Sequence, residues 1–158
     1  MLILRSATED DEHRLLEWRN EIATRAASFT SGEISPQDHR RWFRRKLADA
    51  SCRLLIAEEF GHAVGQVRLD RVDAEIAEIS IGLAPESRGR GLGREALRLA
   101  AANAARELGA RRLVARVKPA NAPSVAVFRA AGYRVMREDE DMVEFLLNIE
   151  PDPVTGSR

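Results

Sequence analysis

Three glycines alternate at Gly89, Gly91 and Gly93, and three arginines, Arg88, Arg90 and Arg94, run among them. Glycine lets the backbone bend so that consecutive N–H groups face one point. Directly afterwards Ala96, Ala100, Ala104 and Leu108 form an i, i+4 stripe, so this loop should feed a helix. A helix N-terminus adds its dipole and favours an anion. Cations there are disfavoured by about 0.3–1 kcal/mol. Three of them make sense if an anion neutralises the site; otherwise the segment is a tight connection with solvated arginines. The anion is not held by a Walker loop, since no Gly-Lys-Ser/Thr follows the glycines. A dinucleotide fingerprint can be forced onto Gly91, Gly93 and Ala96. It then needs an acidic residue about 20 positions on, where the chain reads Arg112-Leu113-Val114-Ala115-Arg116.

The elements around the loop follow from periodicity and punctuation. Residues 2–7 read as a strand. Thr8 with Asp11 opens a helix that should run through Trp18. Residues 21–34 read as polar and irregular. Ser35 as N-cap and Pro36 at the first helical position start a second helix, carrying Trp42, Phe43 and Leu47. Strands follow at 52–58, 63–70 and 75–83. The last alternates Ala77, Ile79, Ile81 and Leu83 against Glu78, Ser80 and Gly82. Pro85 ends this antiparallel meander. Gly109 stops the long helix. A strand at 112–118, a short helix from Asn121 and Pro123 to Gly132, and strands at 133–137 and 142–149 complete the order β-α-α-β-β-β-α-β-α-β-β. The expectation is an α/β domain over 1–149, with 150–158 as a flexible tail. The loop lies after the fourth strand, not the first, which also argues against a dinucleotide site.

Composition bounds the function. The chain has 158 residues, 44% hydrophobic and 32% charged, the balance of one folded globular domain. Cys52 is the only cysteine. It allows no intrachain disulfide and no cysteine zinc cluster, and a reducing cytoplasm is the expected compartment. His13, His39 and His62 lack metal-ligand spacing, so no metal is expected. The 25 basic and 25 acidic residues cancel, so bulk attraction to nucleic acid is not expected. Met1-Leu2-Ile3-Leu4-Arg5 is too short an apolar run for a signal peptide or a membrane span. Only Lys46 and Lys118 among the basic residues are lysine. Arginine suits bidentate recognition of phosphate or carboxylate, although a GC-rich genome gives the same bias.

Arg88-Gly89-Arg90-Gly91-Leu92-Gly93 resembles the Arg/Gln-x-x-Gly-x-Gly/Ala acyl-CoA signature of the GNAT N-acetyltransferase superfamily. The preceding strand, Ala77 to Leu83, and the stretch from Asn121 through Ser124, Val127 and Phe128 to Gly132-Tyr133 resemble the family's neighbouring elements, in the same order and spacing. The resemblance covers residues 2–147. It implies a mixed, mostly antiparallel sheet splayed between its fourth and fifth strands, with helices on both faces and a bulge that Gly82 could supply. Acetyl-CoA would be the co-substrate. Its pantetheine would pair with the free backbone of Ile81 and Leu83. Its pyrophosphate would sit on the N–H groups of residues 88–94, among them Arg88, Gly89, Arg90, Gly91, Leu92, Gly93 and Arg94. Asn121 would touch the cofactor arm while capping its helix, and Phe128 would lie beside the cofactor.

Acetyl transfer needs a deprotonated amine, a stabilised oxyanion and a protonated or solvated leaving thiolate. The Ile81 N–H could serve the oxyanion. Glu78 is the candidate base, with Glu75 as runner-up; a solvated or ion-paired strand carboxylate is the plain alternative. Many family members carry Tyr where this chain has Phe128, and phenylalanine has no proton to give. Water or another side chain must then serve, or the acid is dispensable. Tyr133 reads as core, and Cys52 as a poor acetyl carrier.

The resemblance also assigns the acceptor to the first two helices and their connection. Arg19, Asn20, Phe29, His39 and Trp42 are the candidate substrate residues. Trp18 and Trp42 serve equally as core anchors. Arg40, Arg41, Arg44 and Arg45 most simply form a solvated helix face. Trp18-Arg19-Asn20 and His39-x-x-Trp42-Phe43 resemble two branches: enzymes acetylating nucleotide-linked amino sugars, as in pseudaminic acid synthesis, and enzymes acetylating protein N-termini. The expected partner is a small-molecule amine, foremost an amino-sugar nucleotide, with no nucleic acid and no membrane; a homodimer is compatible. The competing class is a non-catalytic acyl-CoA-binding module.

Overall fold

A computed structural model describes residues 1–149; the expected tail lies outside the described residues. Strand β2 (Cys52–Glu59) shows why the sheet carries helices on both faces. Leu54 and Ile56 point into one apolar cluster, and Leu55 and Ala57 into another. A strand buried on both sides must have cover on both sides.

Around it stand β1 (Leu2–Ser6), β3 (His62–Arg71), β4 (Ile76–Leu83), β5 (Arg112–Val117), β6 (Arg134–Glu138) and β7 (Val143–Asn148). Their spatial order is β1-β2-β3-β4-β5-β7-β6. Every neighbouring pair is antiparallel except β4 and β5, which are parallel. The long helix α4 (Leu92–Leu108) and α5 (Ala122–Ala130) contribute Leu97, Ala100, Leu108 and Phe128 to one core, against Val67, Leu69, Leu113 and Phe145. On the other face α1 (Glu12–Asn20) and α3 (Pro36–Ala48) set Leu15 and Phe43 against Leu54 and Ile56. Ala96, Ala100 and Ala104 are at most 1% exposed, so the alanine stripe lets α4 lie close on the sheet.

β4 and β5 share only three register positions: Ile76 with Arg112, Ala77 with Leu113, and Glu78 with Val114. Beyond Glu78, β4 keeps β3 on one side, while β5 pairs with β7 over its full length. The sheet is splayed where the resemblance placed the gap, but not through a bulge at Gly82. The β3–β4 register is unbroken from Gly65–Leu83 to Arg71–Ala77. The strands part because β5 follows β7. The register shifts fall elsewhere, at Ala57/Glu58 and at Val135/Arg137.

Residues 21–34 are not wholly irregular, for α2 (Ile22–Ala27) forms there. It buries no residue, so it shows no apolar period. Its cap is Glu21, outside the usual N-cap set; the Glu21 carboxylate accepts from the Thr24 N–H and hydroxyl, both at 2.9 Å. The first helix also differs in detail. A 3-10 turn at Glu9–Asp11 precedes α1, which runs to Asn20. The Thr8 N–H donates to Asp11 Oδ2 at 2.9 Å, as the sequence suggested.

Candidate active site

Past Glu78 the backbone of β4 has no strand on its β5 side. Alternate residues of an antiparallel strand turn their N–H and C=O away from the partner, so this stretch offers unpaired groups to the gap. A 3-10 turn at Pro85–Ser87 leads from the end of β4 to the glycine turn. Gly89 and Gly91 have φ of 77° and 78°, a conformation open to glycine and strained for most other residues. Gly91 is the N-cap of α4 and has no side chain to satisfy the helix's first N–H groups. Gly93 is needed for a different reason. A Cβ there would meet Val127 Cγ2 at 2.9 Å, so glycine lets α4 and α5 close together.

Two of the loop arginines have protein carboxylates as partners. Arg88 Nη2 donates to Glu21 Oε2 and Thr24 Oγ1, each at 3.2 Å. Arg90 Nη2 donates to Glu59 Oε1 at 2.6 Å. Arg94 makes no ion pair among the described residues. With Gly91, Arg98 and Ala131 it lines an open cavity of about 520 Å³ between α4 and α5. Glu21, Thr24 and Glu59 were not legible in advance, because their link to the loop exists only in the folded chain.

Glu78 sits at the last position shared by β4 and β5. Its neighbours Ala77 and Ile79 are buried in the α4 core, so by alternation its carboxylate points to the opposite face, beside Asp70. Asp70 is already neutralised: Lys46 Nζ lies at 2.8 Å and Arg68 Nε at 2.9 Å. Burial opposes ionisation of Asp70, but these two cations outweigh it and hold its pKa below the ordinary value. Glu78 makes no ion pair among the described residues, and its carboxylate is the one left at the fork. Glu75 stands at the closed end, beyond the three paired positions, with Arg112 Nη2 at 3.2 Å.

Phe128 is 2% exposed, its ring packed 5.0 Å from Tyr133 and 5.5 Å from Phe145. Its ring belongs to the apolar cluster under α4 and α5. Tyr133 is buried too, its hydroxyl without a partner, and burial raises its pKa. Asn121 caps α5, its Oδ1 accepting from the Ser124 N–H at 3.3 Å. Cys52 is buried, and desolvation, aided by Asp70, pushes its thiol up to about 12. No thiolate carrier exists there at neutral pH.

Around α1 and α3 the expected acceptor residues are largely committed to holding the protein's own structure. Both ends of the Asn20 amide bond the Ile34 backbone, each at 2.8 Å. Arg19 Nη2 donates to the Thr30 carbonyl at 2.6 Å. His39 is 3% exposed, between Trp42 and Phe43. Trp42 packs against the cluster of Leu15, Phe43, Leu54 and Ile56 and lies under the Arg68 guanidinium, 5.5 Å from the ring centroid. Phe29 is exposed. Arg40 and Arg41 pair with Glu12 and Asp38 on the helix surface. Among the described residues no group of His, Cys, Asp or Glu could hold a metal, and no helix is long and apolar enough to cross a membrane.

The sheet is forked at its parallel pair, and a glycine turn and a helix N-terminus without a side-chain cap accompany the fork. The family model described as an acetyltransferase (GNAT) domain matches residues 1–134, and the chain belongs to this family. An N-acetyltransferase 9-like protein of Nematostella vectensis is 35% identical over 102 residues, 62% of this chain and 52% of that one. The chain thus spans about half the length of this relative. Spermidine N-acetyltransferase from Vibrio cholerae, solved with CoA and spermine, superposes with a TM-score of 0.83 at 19% identity, covering 94% of this chain and 95% of that chain. N-acetyltransferase PseH from Campylobacter jejuni, solved with acetyl coenzyme A, gives 0.75 at 15% identity, covering 95% and 100%. At these identities the two structures establish the fold.

Proposed function

We propose that residues 1–149 act as one acetyl-CoA-dependent N-acetyltransferase domain, transferring acetyl directly to a primary amine in a ternary complex. The observation that carries this reading is the unpaired backbone of β4 after Glu78, followed through one 3-10 turn by a glycine turn and the free N-terminus of α4. Acetyl-CoA supplies the activated acyl group. The pantetheine arm pairs with the backbone of Ile81 and Leu83 like an added strand, and Asn121 flanks it. The pyrophosphate rests on the N–H groups of residues 88–94, and Arg88, Arg90 and Arg94 add charge. The Ile81 N–H donates to the thioester oxygen as it becomes an oxyanion; such a donor contributes about 3 kcal/mol.

Glu78 takes a proton from the amine, directly or through one water. The amine nitrogen then bonds to the carbonyl carbon, the C–S bond breaks, and the thiolate leaves. Phe128 has no hydroxyl, so a water carries the second proton lost from the nitrogen to the departing sulfur, leaving the amide and the CoA thiol. The acceptor meets the fork from the α1–α3 side, the face that carries Glu78. An amino-sugar nucleotide is the favoured acceptor, ahead of a protein N-terminus or another small amine. The single buried cysteine fits a cytoplasmic enzyme.

Phe128 favours a second reading, an acyl-CoA-binding module without turnover. Titration calorimetry with acetyl-CoA, followed by amine-dependent thiol release, separates the two. The Gly91→Asp variant tests the loop. A side chain at Gly91 meets nothing within 4 Å, and Asp tolerates the left-handed backbone better than most residues. The fold should therefore survive while a carboxylate enters the phosphate site. Acetyl-CoA binding should vanish; unchanged affinity would refute the loop's role.

A further inference from the structure

Arg19 and Arg25 bind consecutive carbonyls of the 28–34 loop. Arg19 Nη2 reaches Thr30 O at 2.6 Å, and Arg25 Nε reaches Ser31 O at 3.2 Å. Neither guanidinium has a carboxylate within ion-pair distance among the described residues, although most arginines nearby do, namely Arg14, Arg40, Arg41 and Arg88. Arg19 Nη1 is fully buried and bonds nothing, and the same is true of Nδ1 on His39, a residue 97% withdrawn from solvent by its 3% exposure. A buried guanidinium N–H with no acceptor, next to a second cation, is a costly arrangement for an empty protein. A bound anion removes the cost, because it accepts from the guanidinium and balances both charges.

Burial, and with it the charge of Arg25, lowers the pKa of Arg19. Burial also lowers that of His39, where the Arg19 charge acts in the same sense against Glu12. Burial thus favours the neutral ring, which can donate from one nitrogen. The three side chains lie on the acceptor side of the sheet. Helix α2 links them to the glycine loop, since Arg88 bonds Glu21 and Thr24 and Arg25 stands in the last turn of the same helix.

We propose that Arg19, Arg25 and His39 form an anion subsite that binds a phosphate or carboxylate group of the acceptor, so that the enzyme selects anionic amines over polycationic ones. This rests on the reading of the chain as an N-acetyltransferase and extends it to the acceptor's charge. It also sets the chain apart from the spermidine enzyme that shares its fold, whose acceptor carries only positive charge.

Thiol release from acetyl-CoA is measured with glucosamine, glucosamine 6-phosphate, a nucleoside-diphosphate-linked amino sugar, an α-amino acid and spermidine. The expected result is a kcat/KM at least about 10-fold higher for an anionic amine than for its neutral counterpart or spermidine. The preferred anionic arm identifies the source as phosphate, diphosphate or carboxylate. In Arg25→Gln and His39→Phe, which keep the packing, KM for that acceptor should rise by about 10–100-fold, with KM for acetyl-CoA unchanged. Arg19→Gln should behave alike. Equal use of neutral and anionic amines, a preference for spermidine, or a change confined to acetyl-CoA would overturn the subsite.

Titration of inorganic phosphate and pyrophosphate into the CoA-saturated protein, wild type and Arg25→Gln, reads the subsite without turnover. Binding that Arg25→Gln abolishes supports the subsite even if no amine is acetylated, in which case only the transferase reading fails. No binding by the CoA-saturated wild type, combined with no anionic preference in turnover, rejects the subsite.

Discussion

Glu78 and Asp70 are cross-strand neighbours on one face of the sheet, yet only Glu78 is without a cationic partner among the described residues. A base must be free to take a proton, so Glu78→Gln should lower kcat by about 10²–10⁴-fold. Acetyl-CoA affinity should be nearly unchanged, since the amide keeps the shape. Steady-state kinetics with calorimetry checks both, and a near-normal rate across the pH range would return Glu78 to a structural role. Asp11 is the opposite kind of carboxylate. It is 1% exposed and accepts from Arg5 at 2.8 and 2.9 Å, from Arg14 at 2.7 Å and from the Thr8 N–H. Its bond to Arg5 holds the pKa below the ordinary value, against the opposing effect of burial. A depressed carboxylate stabilises the fold above its unfolded pKa of about 3.9 and loses that contribution as pH falls through the folded value. Asp11→Asn should cost about 2–3 kcal/mol near pH 7, less than a fully buried pair because both arginine heads reach water. Urea midpoints measured from pH 6 to pH 2 should fall more steeply for wild type than for the variant; parallel curves would show that Asp11 does not carry the pH dependence. The pairing of Thr8 and Asp11 was legible as a local pattern. The two arginines that surround Asp11, and the use of Arg19 and Asn20 to hold residues 30 and 34, depend on how α1 meets the loop.

At the scale of elements, the glycine turn is the part the sequence specifies best. Positive φ at Gly89 and Gly91 requires the residue type seen there, and the alanine stripe after it has one helical face to bury. Gly93 tests the α4–α5 contact. Gly93→Ala gains about 1 kcal/mol of helix propensity, but its Cβ lies 2.9 Å from Val127 Cγ2, and overpacking costs about 1–3 kcal/mol. We expect a net loss near 1 kcal/mol, a Tm lower by about 2–4 °C. Thermal denaturation measures it, and a raised Tm would mean that Val127 gives way freely. The short helix α2 leaves no signature in the sequence, because it has no apolar period and an unusual cap. The misplaced bulge has a related cause. A glycine in a strand marks a bulge or a close approach, and sequence cannot separate these. Here the close approach belongs to Gly65, where a Cβ would meet the Gly82 carbonyl oxygen at 2.6 Å.

At the scale of the molecule, the chain order of strands was legible, but the spatial order was not fully so. β7 enters between β5 and β6, and that placement opens the fork, because β5 follows β7 and leaves β4 after three shared positions. No local pattern encodes it; it follows from which hairpin edge finds β5. The fork, the glycine turn and Glu78 then fall together without any metal ligand set among the described residues. The claim that this is a catalytic acetyl-transfer site, rather than a docking site for an acyl-CoA, is tested most directly by amine-dependent thiol release from acetyl-CoA across amino sugars, their phosphates and nucleotide conjugates, peptides and polyamines, in wild type and Glu78→Gln. Release should rise with amine concentration, saturate, and drop by at least about 10²-fold in Glu78→Gln. Tight acetyl-CoA binding with no amine-dependent release from any member of the panel would contradict it.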